Sequence, residues 1–370
     1  MGLSGRVLRI SDPTLVSSEC WTYYKFAIMQ TSDFFDTWLA NHMELYIDQN
    51  GNAVFGNDGM MYPLSYYSDI LNISEKHILD VPAEKVVGFL IKQIDSGNYV
   101  ILDLNYKRIL LPDTNEFQLH ETLIYGYDLE KKEFIVPIMK KGVFKENKVS
   151  FDVLVKSYQE SFNYYQRDIN RLFNRRSWFL GITIIQLKKN CDNANKFYDL
   201  IRKINIHREG RIYTKKNISS EEGDIGYTFY TGISCLSYIV SLIEASLEDL
   251  SIENAAIAEK YWKACLKILE SQKMILHLIK WAFTNLKVKD AEGNLLIKEY
   301  EHCCNKTNAA VLLFYKYRTL KDANIINRIL NNLRDSLVIE KKILPDVVEL
   351  IKKHFIDNKL NKSVCIKNNT

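Results

Sequence analysis

Two side chains in this sequence are of the types that together make a nucleophile and its base: Cys20 and His120. A thiol becomes strongly nucleophilic once its proton is lost, and a neighbouring imidazole takes that proton and stabilises the charge left behind. Ser17 or Ser18 can serve as the N-cap of a helix running through Cys20-Trp21-Thr22-Tyr23-Tyr24-Lys25-Phe26-Ala27-Ile28-Met29, which places Cys20 in its first turn. There the positive end of the helix dipole favours the thiolate. His120 opens the run His120-Glu121-Thr122-Leu123-Ile124-Tyr125-Gly126-Tyr127, which reads as a strand. A cysteine early in the chain with a histidine well downstream suits acyl chemistry through a covalent thioester.

These two residues need elements to hold them. Pro82 to Ile94 fits a helix with proline in its first turn, stopped by Asp95-Ser96-Gly97. Tyr99-Val100-Ile101-Leu102-Asp103-Leu104 follows as a buried strand, interrupted near its end by Asp103. After the His120 strand the chain turns at Asp128–Lys132 and returns as Glu133-Phe134-Ile135-Val136-Pro137-Ile138. If the strands carrying Asp103 and His120 are antiparallel neighbours, Asp103 can reach His120; a buried aspartate satisfied by backbone N–H groups is the plainer reading. Asn50-Gly51-Asn52 and Gly56-Asn57-Asp58-Gly59 suggest a hairpin or exposed loop.

Five of the six prolines precede residue 140, which leaves the second half free to be helical. A boundary near residue 155 separates a mixed part, 1–155, from a helical part, 156–370. Phe151–Lys189, Tyr227–Leu247, Ser251–Lys289, Asn305–Tyr317, Ala323–Asp335 and Pro345–Phe355 are the expected helical stretches, the first interrupted near Ser177 and Gly181.

Composition limits what such a pair can serve. A net charge of +4 is too small to argue for nucleic acid. Seven scattered cysteines show neither a disulfide framework nor a metal-binding spacing, and Glu301-His302-Cys303-Cys304 lacks a second ligand cluster. His277 reads as a packed histidine. No P-loop or G-x-G-x-x-G suggests a nucleotide. No secretory leader and no membrane-spanning run is visible, so a cytoplasmic protein is expected.

Ser96–Leu104, Leu110-Leu111-Pro112, His120 with Ile124-Tyr125-Gly126-Tyr127-Asp128, and Phe151-Asp152-Val153-Leu154 together resemble the N-terminal domain of the butirosin biosynthesis protein H family. The resemblance covers about residues 10 to 160. It implies a papain-like fold, related to the C39 peptidases, for the N-terminal domain; with the helical stretches beyond it, an α+β chain with a helical C-terminal part packed on that domain is expected. It further implies acyl transfer from a carrier-protein thioester to an amine during antibiotic assembly, as in closthioamide amide formation. The family's nucleophile falls on Cys20 and its base on His120.

Two positions depart from the papain-like pattern. The orienting Asp or Asn expected on the returning strand is replaced by Ile135-Val136-Pro137, so Asp103 or Asn105 substitutes, or the site is a dyad, or it is not catalytic. No Gln precedes Cys20 to bind an oxyanion, which leaves the Cys20 N–H with Thr14 or Ser17. Trp21, Tyr23, Tyr24, Tyr62, Tyr66 and Tyr67 could wall out water or, more simply, be ordinary aromatics of a Tyr-rich chain. Arg167, Arg171 and Arg175, extended by Arg176, make a basic stripe that could dock an acyl or peptidyl carrier protein; a solvated helix face is the plainer reading. The implied partners are that carrier and a small amine, with no membrane or nucleic acid. No cofactor is needed beyond the carrier's phosphopantetheine. A cysteine peptidase or amidase on the same site, and a binding protein whose site has decayed, are the competing readings.

Overall fold

The computed structural model describes the chain except for residues 1–3, 13, 19, 43, 57–66, 141–142, 168–179, 190–195, 217–225, 289–290 and 368–370. In chain order the elements begin with β1 (Gly5–Val7), α1 (Cys20–Met29), α2 (Phe35–Asn41), β2 (Leu45–Asp48), β3 (Ala53–Phe55) and β4 (Leu71–His77). They continue with α3 (Val86–Asp95), β5 (Tyr99–Asn105), α4 (Tyr106–Leu110), β6 (Leu119–Ile124), β7 (Gly126–Asp128), β8 (Glu133–Lys140), β9 (Val143–Ser150), α5 (Phe151–Arg167) and β10 (Gly181–Leu187). The remainder is α6 (Lys196–Glu209), β11 (Arg211–Lys216), β12 (Gly226–Thr231), α7 (Ile233–Glu248), α8 (Ala255–Leu286), α9 (Ala291–Leu320) and α10 (Ala323–Lys367). The chain is α+β, and from α7 onward its regular elements are all helical.

Two compact units share the sequence, and neither is contiguous: residues 1–35 with 67–192, and 36–66 with 193–370. The single boundary expected near 155 falls inside α5. That helix belongs with the first unit because Leu154, Tyr158 and Tyr165 are buried in the same core as Val100, Leu102, Leu104 and Ile124. Tyr158 also donates its hydroxyl to the carbonyls of Ile78 and Val81, both at 2.9 Å.

The first unit holds two antiparallel sheets, ordered β1-β7-β8-β9 and β4-β10-β5-β6. Every residue of β5 is buried, the mark of a strand covered on both faces. β10 lies where the sequence suggested an interrupted helix. Its Ile182-Thr183-Ile184-Ile185 run is β-branched, which favours the pleated conformation, and β10 fills the gap between β4 and β5. Gly181 opens β10 at φ +94°, and a Cβ there would come within 2.7 Å of the Ile78 side chain, so this entry needs glycine.

The second unit joins the sheet β11-β12-β2-β3 to helices α6–α10. The β2–β3 hairpin turns as the sequence suggests. Asp48 Oδ1 accepts from the backbone N–H groups of Asn50 (2.9 Å) and Asn52 (2.8 Å), and Gly51 takes φ +82°. β11 and β12 again replace expected non-strand sequence, because each pairs along its length and β12 extends β2. Asn254 caps α8, its side chain accepting from Ala256 N at 2.9 Å. The two helices expected around Pro345 are one, α10, running through the proline. Val347, Val348 and Ile351 beyond it are as buried as Ile343 and Leu344 before it, so packing on both sides holds the helix through the lost N–H. Among the described residues no helix is long and apolar enough to cross a membrane.

Candidate active site

Cys20 is the first residue of α1, in the turn where the helix N–H groups are not used by the helix itself. Its side chain lies outside the described residues, as does that of Trp21. Tyr24, four residues on, shares its side of the helix. The Tyr24 hydroxyl donates to the backbone carbonyl of Glu121 at 3.1 Å, which brings this side of α1 to the start of β6.

His120 is the second residue of β6. Its Nδ1 lies 2.7 Å from the same Glu121 carbonyl oxygen, and a carbonyl can only accept, so Nδ1 carries the proton. That tautomer leaves the lone pair on Nε2, the nitrogen able to act as base. The ring also rests against Tyr106, centroid to centroid 4.9 Å. The Glu121 main chain thus gives the imidazole one anchor, and Ile135, Val136 and Pro137 sit within β8 as apolar and ring residues.

Strand β6 is antiparallel to β5, as the sequence suggests, and the register separates the expected partners. Leu104 stands opposite His120, and Asp103 stands opposite Glu121. Opposed residues share a face and successive residues alternate, so His120 belongs to the face of Leu102, Leu104 and Ile124 and Asp103 to the other. Asp103 is fully buried and accepts a short hydrogen bond from the Tyr165 hydroxyl. Asn105 shares the Asp103 face and is occupied by structure. Its Nδ2 donates to the Glu116 carbonyl (3.0 Å) and to Glu160 Oε2 (2.5 Å), and its Oδ1 accepts from Gln118 N (3.0 Å). With Arg108, which also binds Glu160, it ties the end of β5 to α5. The Glu121 carbonyl is the group that stands within hydrogen-bond distance of His120 Nδ1.

Thr14 and Ser17 are exposed residues of the segment before α1, and Ser17 does not enter the helix. Arg167 is the exposed last residue of α5, whereas Arg171, Arg175 and Arg176 lie outside the described residues, as do Tyr62 and Tyr66. Tyr23, Tyr24 and Tyr67 are buried. His277 Nε2 lies within hydrogen-bond distance of Asp36 Oδ1 of α2, at 2.6 Å. Among the described residues no three side chains are gathered as a metal site.

The sheet face opposite His120 carries a polar lining that the sequence reading missed. Glu75 on β4 stands opposite Thr183, and Thr183 opposite Ile101, so Glu75 shares the face of Asp103 and Glu121. Thr22 and Lys25 of α1 are both fully buried. Burial pushes the Glu75 carboxyl up, and the Thr183 hydroxyl at 2.7 Å and the Lys25 charge offset this only in part, leaving it at about 7. The signal was present as a lysine inside the apolar run Tyr23-Tyr24-Lys25-Phe26-Ala27, where a solvated face has no room.

No family model matches the chain, and no curated protein matches it.

Proposed function

We propose that this protein is a papain-like cysteine acyltransferase, forming an amide from a carrier-protein thioester and an amine, as its resemblance to the butirosin biosynthesis protein H family implies. The observation that carries the reading is the convergence of Tyr24 and His120 on one carbonyl oxygen, with Cys20 one turn before Tyr24 at the start of α1. In this reading the Cys20 thiolate attacks the thioester carbonyl. The carrier's C–S bond breaks, and the leaving thiolate takes the proton held on His120. The amine then attacks acyl-Cys20; His120 Nε2 accepts the amine's proton and the Cys20 thiolate leaves. Thioester exchange is nearly isoenergetic, so no nucleotide is required. The Glu121 carbonyl holds the imidazole in the tautomer this sequence of transfers needs.

The test is mass spectrometry of the full chain mixed with an acyl-loaded carrier protein. An acyl adduct on the peptide containing Cys20 is expected, absent in Cys20→Ala, with amide appearing when an amine is added. Free acid alone in the presence of amine would make the protein a hydrolase. An unmodified native protein would remove the catalytic reading.

A further inference from the structure

The sheet face opposite His120 holds ionisable groups that the proposed acyl chemistry does not use. Glu75 of β4 lies on it beside Thr183 of β10; His77, two residues on, and the opposed pair Asp103 and Glu121 share it. Helix α1, which begins at Cys20, brings a cation to this face. Thr22, Lys25 and Met29 are spaced to lie on one side of the helix, and all three are fully buried. The Lys25 Nζ lies over the Tyr67 ring, 5.2 Å from its centroid, and its charge is felt at Glu75 although no ion pair joins the two.

Glu75 is only half provided for. Its Oε1 accepts from the Thr183 hydroxyl at 2.7 Å, and the Leu180 N–H also favours its charge, yet Oε2 is enclosed with no hydrogen-bond partner among the described residues. An enclosed carboxylate oxygen without a donor is costly, whereas the neutral carboxyl gives up little. The groups facing Glu75 are Lys25 on α1, Tyr67 before β4, His77 on β4 itself, Asp103 on β5 with the Tyr165 hydroxyl of α5 bonded to it, and Glu121 on β6. Lys25 is the buried ammonium among them, so α1 is the element whose position responds to charge on Glu75. Burial holds this carboxyl at about 7, and both its forms are present near neutral pH.

We propose that Glu75 is a positioning residue for Cys20: with Glu75 neutral α1 sits closed on the sheet, and with Glu75 ionised the start of α1 lifts and lets water reach Oε2. The sign follows from the burial. Charge is disfavoured in the closed fold, so rising pH favours the open one. The helix yields because it covers Glu75 with a buried ammonium, which gains water on opening as the carboxylate does. Lifting α1 carries Cys20 away from the start of β6, and acyl transfer falls on the alkaline side. That last step rests on the acyl-transfer reading; the seating of α1 does not.

The experiment follows amide hydrogen exchange of the full chain by mass spectrometry from pH 6 to 8, corrected for the intrinsic pH dependence of exchange. In the α1 peptide, exchange should rise at least about fivefold across that range in the wild type and less than about twofold in Glu75→Gln, with the α8 peptides unchanged in both. Lys25→Met removes the attracting charge and should move the rise to higher pH. An α1 rise equal in wild type and Glu75→Gln, no rise in either, or a rise confined to the β4 peptide would each overturn the proposal. Acyl-adduct formation on Cys20 is measured over the same range. A decline above pH 7 that Glu75→Gln abolishes is expected; a decline of equal size in both proteins overturns the positioning role. An α1 rise with no adduct at any pH keeps the seat and removes only the acyl-transfer reading.

Discussion

Each unit buries a carboxylate in a polar setting, and the two are treated in opposite ways. Glu340 on α10 is fully buried, and burial pushes its pKa up; the His207, Tyr300 and Gln272 donors more than reverse this, so it stays below its ordinary value. Glu75 on β4 has the Thr183 hydroxyl, the Leu180 backbone N–H and the more distant charge of Lys25, and burial still wins. The lesson is that the count of donors, more than depth, decides whether a buried acid keeps its charge. A carboxylate given three donors becomes a structural anchor. One given only a neutral hydroxyl and a backbone N–H becomes a group that titrates near neutrality.

That contrast can be broken most forcefully at His207. Replacing it with alanine leaves the Glu340 charge short of its main partner, and a loss of about 3–5 kcal/mol in urea denaturation is expected. The double variant with Glu340→Gln should recover part of that loss. No recovery would mean that packing, and not charge, was lost. Tyr300→Phe removes one hydrogen bond to the same carboxylate, and a smaller loss of about 1.5–3 kcal/mol should follow.

A further effect is one of pH. The Glu75 pKa is raised on folding, so its contribution is fully present below the unfolded value near 4.5 and is lost as pH rises through about 7. For Glu340 the sign is reversed: its contribution is present above the unfolded value and lost as pH falls. Glu75→Gln should therefore flatten the stability profile between pH 5 and 7.5, by up to about 3 kcal/mol across the window. An unchanged profile would show that Glu75 titrates normally, and the contrast between the units would fail.

How far the sequence could be read depended on which interactions were local. The α1 helix, the antiparallel neighbours β5 and β6, and the β2–β3 turn follow from short-range pattern, and the structure has them. The Asp103–His120 pair failed on an offset of one residue, which in a strand exchanges one face for the other. No composition or spacing carries that information. β10 and β12 were missed because their partners are far away in sequence: β10 is stabilised by β4 and β5, and β12 by β2. Pro345 misled in the other direction, since tertiary packing on both sides of it outweighs one missing hydrogen bond. The carbonyl beside His120 Nδ1 was invisible for a different reason. It is a main-chain carbonyl, and every residue has one.

The interleaving of the two units bears on how the chain comes to be made. Asp48 pairs with Phe229 and Tyr46 with Thr231, so β2 leaves the ribosome long before the strand that covers it. At about 5–20 residues per second that interval is roughly 10–35 s. Until β12 is made, one edge of the β2–β3 hairpin lacks the strand that pairs with it. Residues 193–370 alone lack two of the four strands of the second unit's sheet. Its assembly is a late, long-range event, and slow refolding from denaturant is the kinetic signature such a topology leaves.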